Sequence, residues 1–334
     1  MSDLRIAALG GGHGLYSTLT AMRYLSAQVT AVVTVADDGG SSGRLRSELG
    51  VIPPGDLRMA MAALMCAPAA LDELAGRPDP NADRARHELW AQTLQHRFGG
   101  YGALAGHPVG NLLLAGLTEV LGDPVAALDE MMRVFDVAGR VLPMSVVPLE
   151  IEADVSGLES DPRISRVIRG QVAVATTPGK VRRVRLRPHD PPACEQVTAA
   201  IDEADLVVLG PGSWFSSVIP HVLVPDLREA LQRSPSRKIL IVNLAPEPGE
   251  TPGFSVERHL HVLHAHCDTL AIDHVVVDES SVPAGREREH LERAAGLFGA
   301  TLEIGDLAVA GRHVHDPAKV ASLVKQLCSV ELTR

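Results

Sequence analysis

The chain has 334 residues, of which 46% are hydrophobic and only 3% aromatic, and its formal net charge is −10 at pH 7. This length can bury a sizeable core in one large α/β domain or two average ones, and an aliphatic core favours parallel strands covered by helices. The negative charge argues against binding of nucleic acid through a broad basic surface.

Cysteine usage and hydropathy indicate the cellular compartment. The four cysteines are scattered without a CxxC pair, which predicts reduced thiols in a cytoplasmic protein. The apolar run before the first glycines, Ile6 to Leu9, is too short for a signal-peptide core. No run approaches the roughly 18 to 20 apolar residues of a membrane span. We therefore expect a cytoplasmic protein with no membrane span.

The first 58 residues read as a βαβ unit followed by further glycine-rich loops. Leu4 to Leu9 is a short apolar run, and Leu15 to Leu25 has helical spacing. Val29 to Val35 is β-branched without polar alternation, as in a strand buried on both faces. Glycine-rich loops at 10–14, 37–44 and 53–58 each precede a helical pattern. Such loops predict a site for a phosphate-bearing ligand.

Helices are predicted over most of the next eighty residues. The first begins at Asp56, which is expected to act as its N-cap behind Pro-Pro-Gly. Three more are predicted at Asn81 to Phe98, at Leu112 to Leu121 after His107-Pro108-Val109-Gly110-Asn111, and from Asp123-Pro124 to about Val134.

The middle of the chain changes character and predicts a small β-rich insertion at about residues 141–190. Strands are expected at Val146 to Ala153, Gln171 to Ala175 and Val181 to Arg187. In the last of these, arginines alternate with Val184 and Leu186, which favours a solvated edge strand over a role in steering phosphates.

Alternating helices and strands return in the second half. The predicted elements are the helix Cys194 to Glu203, the strand Leu206 to Leu209, the strand Ile239 to Val242, the helix Ser255 to His266, the strand Asp273 to Val277, the helix Glu287 to Phe298, a strand near Thr301 to Ile304 and the helix Pro317 to Leu327. No internal repeat or low-complexity linker marks a boundary, so residues 1–334 are predicted to form a single α/β domain. Its sheet should be doubly wound and mostly parallel, with helices on both faces.

Four strand ends carry glycine or polar residues: Gly10, Asp37, Gly210 and Asn243. Ligands of open parallel sheets bind outside the carboxyl ends of the strands, near the point where strand order reverses. We expect these four residues to meet at that edge, and Gly210, Gly212 and Ser213 to form one wall of the site.

The loop Gly10-Gly11-Gly12-His13-Gly14 would let the backbone approach a phosphate closely at the start of a helix, where partial positive charge favours an anion. Its spacing is not that of the G-x-G-x-x-G dinucleotide fingerprint. However, Asp37 falls roughly where the ribose-binding acid of that fingerprint would lie, so NAD remains an alternative ligand.

Asp37 and Asp38 admit three interpretations: binding of sugar or ribose hydroxyls, coordination of Mg²⁺ against phosphates, or capping of a turn at residues 39–42. Hydroxyl binding is slightly favoured over metal. Ser41, Ser42 and Arg44 fit a second anion-binding nest, and Arg58 follows Asp56 at the start of its helix.

Other candidate chemistries are weaker. The offsets among His259, His261, His264 and His266 do not give the i, i+4 pair of a helical zinc site, so solvated or packed histidines are favoured. No Ser/His/Asp or Cys/His arrangement stands out, and Gly212-Ser213 lacks the flanking pattern of a nucleophile elbow.

Several motifs resemble those of the YvcK family of gluconeogenesis factors, a branch of the group that contains the CofD phospholactate transferases. The resemblance extends over nearly the whole chain, and the combination of motifs is highly specific. The motifs are residues 33–45 (VTVADDGGSSGRL), 53–58 (PPGDLR), 105–114 (AGHPVGNLLL) and 209–213 (LGPGS), Asn243-Leu244 and Pro248-Gly249-Glu250-Thr251.

The resemblance implies a Rossmann-like protein that binds a UDP-sugar such as UDP-N-acetylglucosamine and links carbon metabolism to cell-wall precursor supply and cell shape. It implies no required cofactor and no established catalytic activity. The residues expected to bind the ligand are Gly11, Gly12, His13, Gly14, Asp37, Asp38, Ser41, Ser42, Arg44, Asp56, Arg58, Asn111, Gly210, Gly212, Ser213 and Asn243. The family usually has threonine at position 13 and asparagine at position 59, where this chain has His13 and Met59.

The alternative function is a CofD-like, Mg²⁺-dependent transfer of a phosphate-linked group from a nucleotide donor, with Asp37 and Asp38 on the metal. The transferases carry a loop similar to Asn-Thr-Gly-Asp-Asp, whereas this chain has Val35-Ala36-Asp37-Asp38, which favours a non-catalytic regulator. A regulatory protein partner and a homo-oligomer remain open.

Overall fold

The computed structural model describes residues 3–66, 80–161, 163–247, 250–251, 253–282 and 285–329. Ten strands are defined in these ranges: β1 (Ile6–Gly10), β2 (Val29–Val33), β3 (Arg140–Pro143), β4 (Glu150–Ser156), β5 (Ser165–Arg169), β6 (Lys180–Arg187), β7 (Leu206–Leu209), β8 (Arg237–Ile241), β9 (His274–Asp278) and β10 (Thr301–Gly305).

The helices of the same ranges are α1 (Gly12–Met22), α2 (Gly40–Leu49), α3 (Gly55–Met65), α4 (Pro80–Gln95), α5 (Val109–Leu121), α6 (Pro124–Val134), α7 (Gln171–Ala175), α8 (Glu195–Glu203), α9 (Ile219–Leu223), α10 (Pro225–Arg233), α11 (Val256–His266), α12 (Arg286–Gly296) and α13 (Pro317–Ser329). A single π-helical turn, Trp214–Val218, precedes α9, and a short 3₁₀ turn, Glu279–Ser281, follows β9.

Seven parallel strands form the central sheet, in the order β10-β9-β8-β7-β1-β2-β3. The central strands are aliphatic and buried on both faces, as parallel strands between helical layers must be. Helix α1 packs against α3 and α13, while α8 packs against α10. The predicted α/β, Rossmann-like, mostly parallel architecture is confirmed.

Strand β1 lies between β2 and β7, so the chain leaves it in one direction through β2 and β3 and returns on its other side through β7. The order of the strands therefore reverses at β1 and β7. In sheets of this type the crevice outside the carboxyl ends of such a pair is the place where ligands bind.

The β-rich insertion is a separate three-stranded antiparallel sheet, in the order β5-β4-β6. Two details of its prediction are wrong. Residues 141–143 belong to β3, the edge of the main sheet, because β3 pairs in register with β2. Residues 171–175 form helix α7 instead of a strand, because Asp38 caps the helix from outside: its Oδ1 accepts a hydrogen bond from Val172 N at 3.0 Å.

One predicted helix start and one predicted turn are also described differently by the structure. Helix α3 begins at Gly55 with Pro54 at the N-cap, so Asp56 lies inside the first turn instead of capping it. The expected turn at residues 39–42 is the first turn of α2, whose N-cap is Gly39. The remaining predicted elements are confirmed with boundaries shifted by up to four residues. Pro248 and Gly249, cited above for their motif, lie outside the described residues.

The basic strand β6 is an edge strand, as predicted, and two of its arginines, Arg185 and Arg187, form ion pairs with carboxylates of β4. Glu152, on the central strand β4, has a side chain only 5% exposed and accepts from Arg187 Nε at 2.6 Å and Arg169 Nε at 3.0 Å. Arg185 forms two hydrogen bonds of 2.6 Å with the carboxylate of Asp154. These contacts account for the alternating arginines without an external ligand.

The four cysteines are free, and Cys194 and Cys267 are buried, as expected for thiols packed in the core. Within the described ranges, no helix combines the length and apolar composition needed to cross a membrane.

The arginines around Glu152 lead to a pH-dependent prediction. Hydrogen bonds from Arg187 and Arg169 lower the pKa of Glu152 to about 2. Glu152→Gln should therefore lower the free energy of unfolding at pH 7. The difference in free energy of unfolding between wild type and Glu152→Gln should shrink as the pH falls from about 4.5 to about 2, because the wild-type carboxylate becomes protonated and loses its charge. Urea denaturation at several pH values measures it.

The matched control is Glu159→Gln. Glu159 is the partner of Arg166, its side chain is 35% exposed, and the substitution should cost less than about 1 kcal/mol. Equal effects of the two substitutions would contradict a special role for Glu152.

Candidate functional site

The loops after β1 and β7 touch at the switch point. A Cβ built on Gly14 would lie 1.9 Å from the carbonyl oxygen of Pro211 and 2.7 Å from Gly212 Cα. Glycine is therefore required at position 14 by the close approach of the two backbones. The predicted meeting of the first glycine loop with residues 210–213 is observed.

Asn243, at the end of β8, holds this second loop in place. Its Oδ1 accepts from Gly212 N at 2.8 Å, and its Nδ2 donates to Gly212 O at 2.9 Å. Both amide atoms are used, and the residue is buried. Asn243 thus positions the loop through the backbone of Gly212.

Ser213 is tied to an acidic residue that the sequence analysis noted only as part of a motif. Its Oγ lies 2.6 Å from both carboxylate oxygens of Glu250 and also contacts Ser216 Oγ. Glu250 is buried and accepts from Phe215 N at 3.2 Å, at the start of the π-helical turn. Burial and a hydrogen bond with the Glu250 carboxylate raise the pKa of the neighbouring Glu247 to about 8, so Glu247 is protonated at neutral pH and donates that bond.

A cavity of about 380 Å³ opens above the touching loops, and His13, Gly14, Gly212 and Asn243 line it. Its far wall is a C-terminal segment that the sequence analysis missed, residues 313–315. Asp278, at the end of β9, accepts from Leu307 N at 2.7 Å and Ala308 N at 2.9 Å, and Ala308 in turn pairs with His315 through an antiparallel bridge. These residues carry no periodic sequence pattern, because their position depends on Asp278, more than thirty residues earlier in the chain.

His315 in that wall is buried, and its Nε2 has no partner among the described residues. Burial lowers the pKa of His315 to about 4, so the ring is neutral at physiological pH. His13 and His313, in contrast, are exposed at the mouth of the cavity.

Three helices begin at this edge with their N-termini free of a local capping side chain. The N-cap residues are Gly11 for α1, Gly39 for α2 and Pro108 for α5, and none of these helices has an acidic residue in its first turn. The partial positive charge of a helix N-terminus favours an anion. For α1, Asp56 from α3 accepts a hydrogen bond from Gly12 N–H.

Asp37 and Asp38 each use a carboxylate oxygen within the fold. Asp37 Oδ1 accepts from Gly39 N at 2.9 Å, which is the capping role considered above. Asp38 Oδ1 accepts from Val172 N and so connects the main sheet with the insertion. Within the described ranges no three His, Cys, Asp or Glu side chains are grouped to hold a metal ion, the histidines of α11 included.

The predicted second anion nest is packed against the loop before α5. Ser41 Oγ lies 2.8 Å from His107 Nδ1 and accepts from Asn111 Nδ2 at 3.0 Å. Arg44 Nη2 donates to Ala105 O at 2.8 Å. Ser42 contacts Gly55, where a Cβ would lie 2.3 Å from its Oγ. These side chains join α2 to its neighbours.

Arg58 is the buried cation of the site. It is 4% exposed, and its Nε has no hydrogen-bond partner among the described residues. Burial and the nearby Arg97 lower the pKa of Arg58 to about 10, so the guanidinium stays charged at neutral pH. Asn111 Oδ1 is likewise buried and has no hydrogen-bond partner in the part of the chain that the structure describes. Unsatisfied buried groups of this kind are costly unless a ligand or water completes them.

Asp56 lies between the two halves of the site. Burial, and then repulsion from Asp37, raise the pKa of Asp56 to about 7, although Gly12 N–H and Arg58 oppose the shift. Gly11 lies tightly packed between Thr34 and Asp56, since a Cβ at Gly11 would lie 2.5 Å from Thr34 Cγ2 and 2.7 Å from Asp56 Oδ2. The structure thus brings the sixteen predicted residues to one edge in two connected groups, one at β1, β7 and β8 and the other at α2, α3 and α5.

Comparisons with known proteins agree with this architecture. The sequence model of the family described as 2-phospho-L-lactate transferase CofD matches residues 6–308. The "Putative gluconeogenesis factor" of Mycobacterium tuberculosis (strain H37Rv type, ATCC 25618) is 62% identical over 324 residues, which cover 97% of this chain and 90% of that protein. The "Gluconeogenesis factor" of Bacillus subtilis is 33% identical over 337 residues, with 97% and 98% coverage.

A solved structure has the same fold. The crystal structure of a UPF0052 family member from Bacillus halodurans superposes with a TM-score of 0.81 and 32% identity, and the match covers 97% of this chain and 99% of that one.

The contact of the two glycine loops can be tested by substitution. Gly14→Ala places a methyl group against the backbone of Pro211, so it should lower the free energy of unfolding by about 3 kcal/mol. Gly116→Ala, in an exposed position of α5 with nothing within 4 Å of its Cβ, should instead stabilise by about 0.5 to 1 kcal/mol. Urea denaturation compares them, and a neutral Gly14→Ala would contradict the close approach.

The raised pKa of Asp56 leads to a second test. In wild type, the folded state holds this proton more tightly than the unfolded state, so stability falls as the pH rises from about 4 to about 7, by up to about 1.4 kcal/mol per pH unit. Asp56→Asn removes this pH dependence. The free energy of unfolding of the variant, relative to that of wild type, should therefore rise through that range and level off above pH 7. Thermal denaturation from pH 5 to pH 8 checks it.

The matched control is Asp268→Asn, the same substitution at an exposed position in the loop after α11. A constant offset for Asp56→Asn would show that this carboxylate titrates normally.

Proposed function

The chain belongs to the CofD family, in its YvcK branch of gluconeogenesis factors, and on this premise we propose that it is a cytoplasmic UDP-sugar-binding regulator. Its ligand is a nucleotide sugar of the UDP-N-acetylglucosamine type. Through that ligand it links carbon metabolism to cell-wall precursor supply and cell shape.

One observation carries the proposal: the two glycine loops meet under a cavity at the switch point, beside the N-terminus of α1, whose N-cap residue Gly11 has no capping side chain. A diphosphate placed there would accept from the backbone N–H groups of residues 13 and 14 and face the helix dipole, while Gly12 N–H bonds to Asp56. The close backbone contact leaves no side chain at Gly14 to hinder such a ligand.

The second group of residues supplies the charge that a diphosphate needs. Arg58 is charged and buried and has unfilled hydrogen-bonding capacity. Asp56, with its raised pKa, can be protonated when an anion arrives, which limits repulsion. In this arrangement Asp37 and Asp38 keep one oxygen each for sugar or ribose hydroxyls.

The family match also favours a second candidate, transfer of a phosphate-linked group from a nucleotide donor with Mg²⁺ held by Asp37 and Asp38. Turnover of a nucleotide in the presence of Mg²⁺, abolished by Asp38→Asn while binding survives, would support it. Intact nucleotides after incubation favour the regulator. Binding of NAD remains a third option, and it predicts that NAD competes with the UDP-sugar.

Ligand binding should stabilise the fold. At a UDP-N-acetylglucosamine concentration a hundred times the dissociation constant, the free energy of unfolding should rise by about 2.7 kcal/mol. Thermal denaturation with a panel of nucleotide sugars, NAD and GDP measures the shift. If no UDP-sugar raises the melting temperature, the proposed function is wrong.

Arg58 should contribute directly to affinity. Arg58→Met removes a charged donor from a buried site, so the dissociation constant for the UDP-sugar should rise about tenfold to a hundredfold. Isothermal titration calorimetry measures it, with circular dichroism to confirm folding. Arg166→Met, which removes an exposed arginine of the insertion, is the control and should leave affinity unchanged. A change of less than threefold for Arg58→Met would place the phosphates elsewhere.

A further inference from the structure

A second cavity lies next to the one above the glycine loops. Its volume is about 560 Å³, within the range of small-molecule sites. The two cavities share residues 243–246, the loop that follows β8, and so adjoin each other along it. The second cavity extends from this loop towards α11 and α12.

The lining of this cavity is part apolar and part polar. Leu244, Phe254, Val256 and Leu291 supply its apolar surface. Two polar residues of the lining are already engaged, since the Asn243 amide bonds to Gly212 and Ser281 Oγ donates to Leu244 O at 2.7 Å. The lining also includes Glu257, Glu287 and His290. A flat ring can pack on the apolar part and direct its polar edge to a side chain of the lining.

His259 is the distinctive polar residue of this lining. It is 2% exposed, and its ring packs edge-on against Trp214 and Phe254, with centroid distances of 5.0 and 5.2 Å. Its Nδ1 lies 2.8 Å from Ser255 O. A carbonyl oxygen can only accept, so Nδ1 carries the hydrogen.

The other ring nitrogen is consequently a bare acceptor. Burial lowers the pKa of His259, which keeps the ring neutral. Its Nε2 is buried and has no hydrogen-bond partner among the described residues. A ligand atom that completes this site must therefore be a hydrogen-bond donor.

We infer that this cavity is the base pocket of the nucleotide site, and that His259 Nε2 accepts the N3–H of a uracil ring. The inference rests on the proposed function and adds that the base binds in this cavity while the diphosphate binds above the glycine loops. Uracil is flat, uncharged and carries one N–H between two carbonyl groups. Cytosine has a lone pair at N3, which would face the lone pair of His259. The pocket thus selects uracil over cytosine at a single atom.

The test compares bases at constant phosphate. Wild type should bind UDP at least about tenfold more tightly than CDP or N3-methyl-UDP, because each analogue leaves the buried acceptor without its donor. His259→Phe keeps a ring between Trp214 and Phe254 but removes the acceptor. It should reduce the ratio of UDP to CDP affinity to within about threefold.

His261→Phe is the matched control, since His261 lies on the same helix, is exposed and contacts Glu257. It should keep the wild-type preference. The ratio of two affinities does not respond to a general loss of stability, so it separates recognition from packing. If His259→Phe does not fold, N3-methyl-UDP against wild type decides the question.

Occupancy can be followed through Trp214. In a Trp90→Phe background this residue is the remaining tryptophan, and saturating UDP should change its fluorescence whereas inorganic pyrophosphate should not. If wild type binds UDP-sugars but does not distinguish UDP from CDP, the base pocket is wrong and the proposed function stands. If no UDP-sugar binds at all, the proposed function itself fails.

Discussion

The contact between the first glycine loop and Pro211 is the constraint on which the site depends. Strands β1 and β7 are neighbours in the sheet, and their loops leave the same edge at the same height. Only a residue without a side chain at position 14 lets them touch. That contact places the N-terminus of α1 beside Gly212, and Asn243 then fixes Gly212 through both of its backbone groups. A mobile loop could not present a constant set of N–H groups. The loop after β7 is fixed both by its contact with Gly14 and by the hydrogen bonds of Asn243.

The charged residues follow from the same closeness. Because Gly11 has no side chain, the carboxylate of Asp56 on α3 reaches the start of α1. Arg58 lies two residues further along the same helix and is buried close to that carboxylate. The fold therefore accepts one buried cation and one partly protonated acid at the same place. Such groups lower stability, and proteins retain them mainly where they act on a ligand.

The sequence allowed good prediction wherever the signal is local. Strands such as Leu206–Leu209 are unbroken aliphatic runs that end at glycine, and the parallel sheet follows from their alternation with helices. Prediction failed where a distant residue decides the structure. Helix α7 has β-branched residues and gains its cap from Asp38, 134 positions earlier. The C-terminal wall at residues 313–315 is placed by Asp278, and no periodicity in the chain could reveal it.

The hydrogen bond from Val172 to Asp38 also connects the insertion to the edge of the main sheet that carries the candidate site. The same carboxylate holds the first turn of α7, which packs on the small sheet, and keeps Oδ2 for the hydroxyl of the proposed ligand. Linkage is reciprocal, so under that proposal whatever holds the insertion against the main sheet would change ligand affinity by the same factor by which the ligand changes the attachment of the insertion.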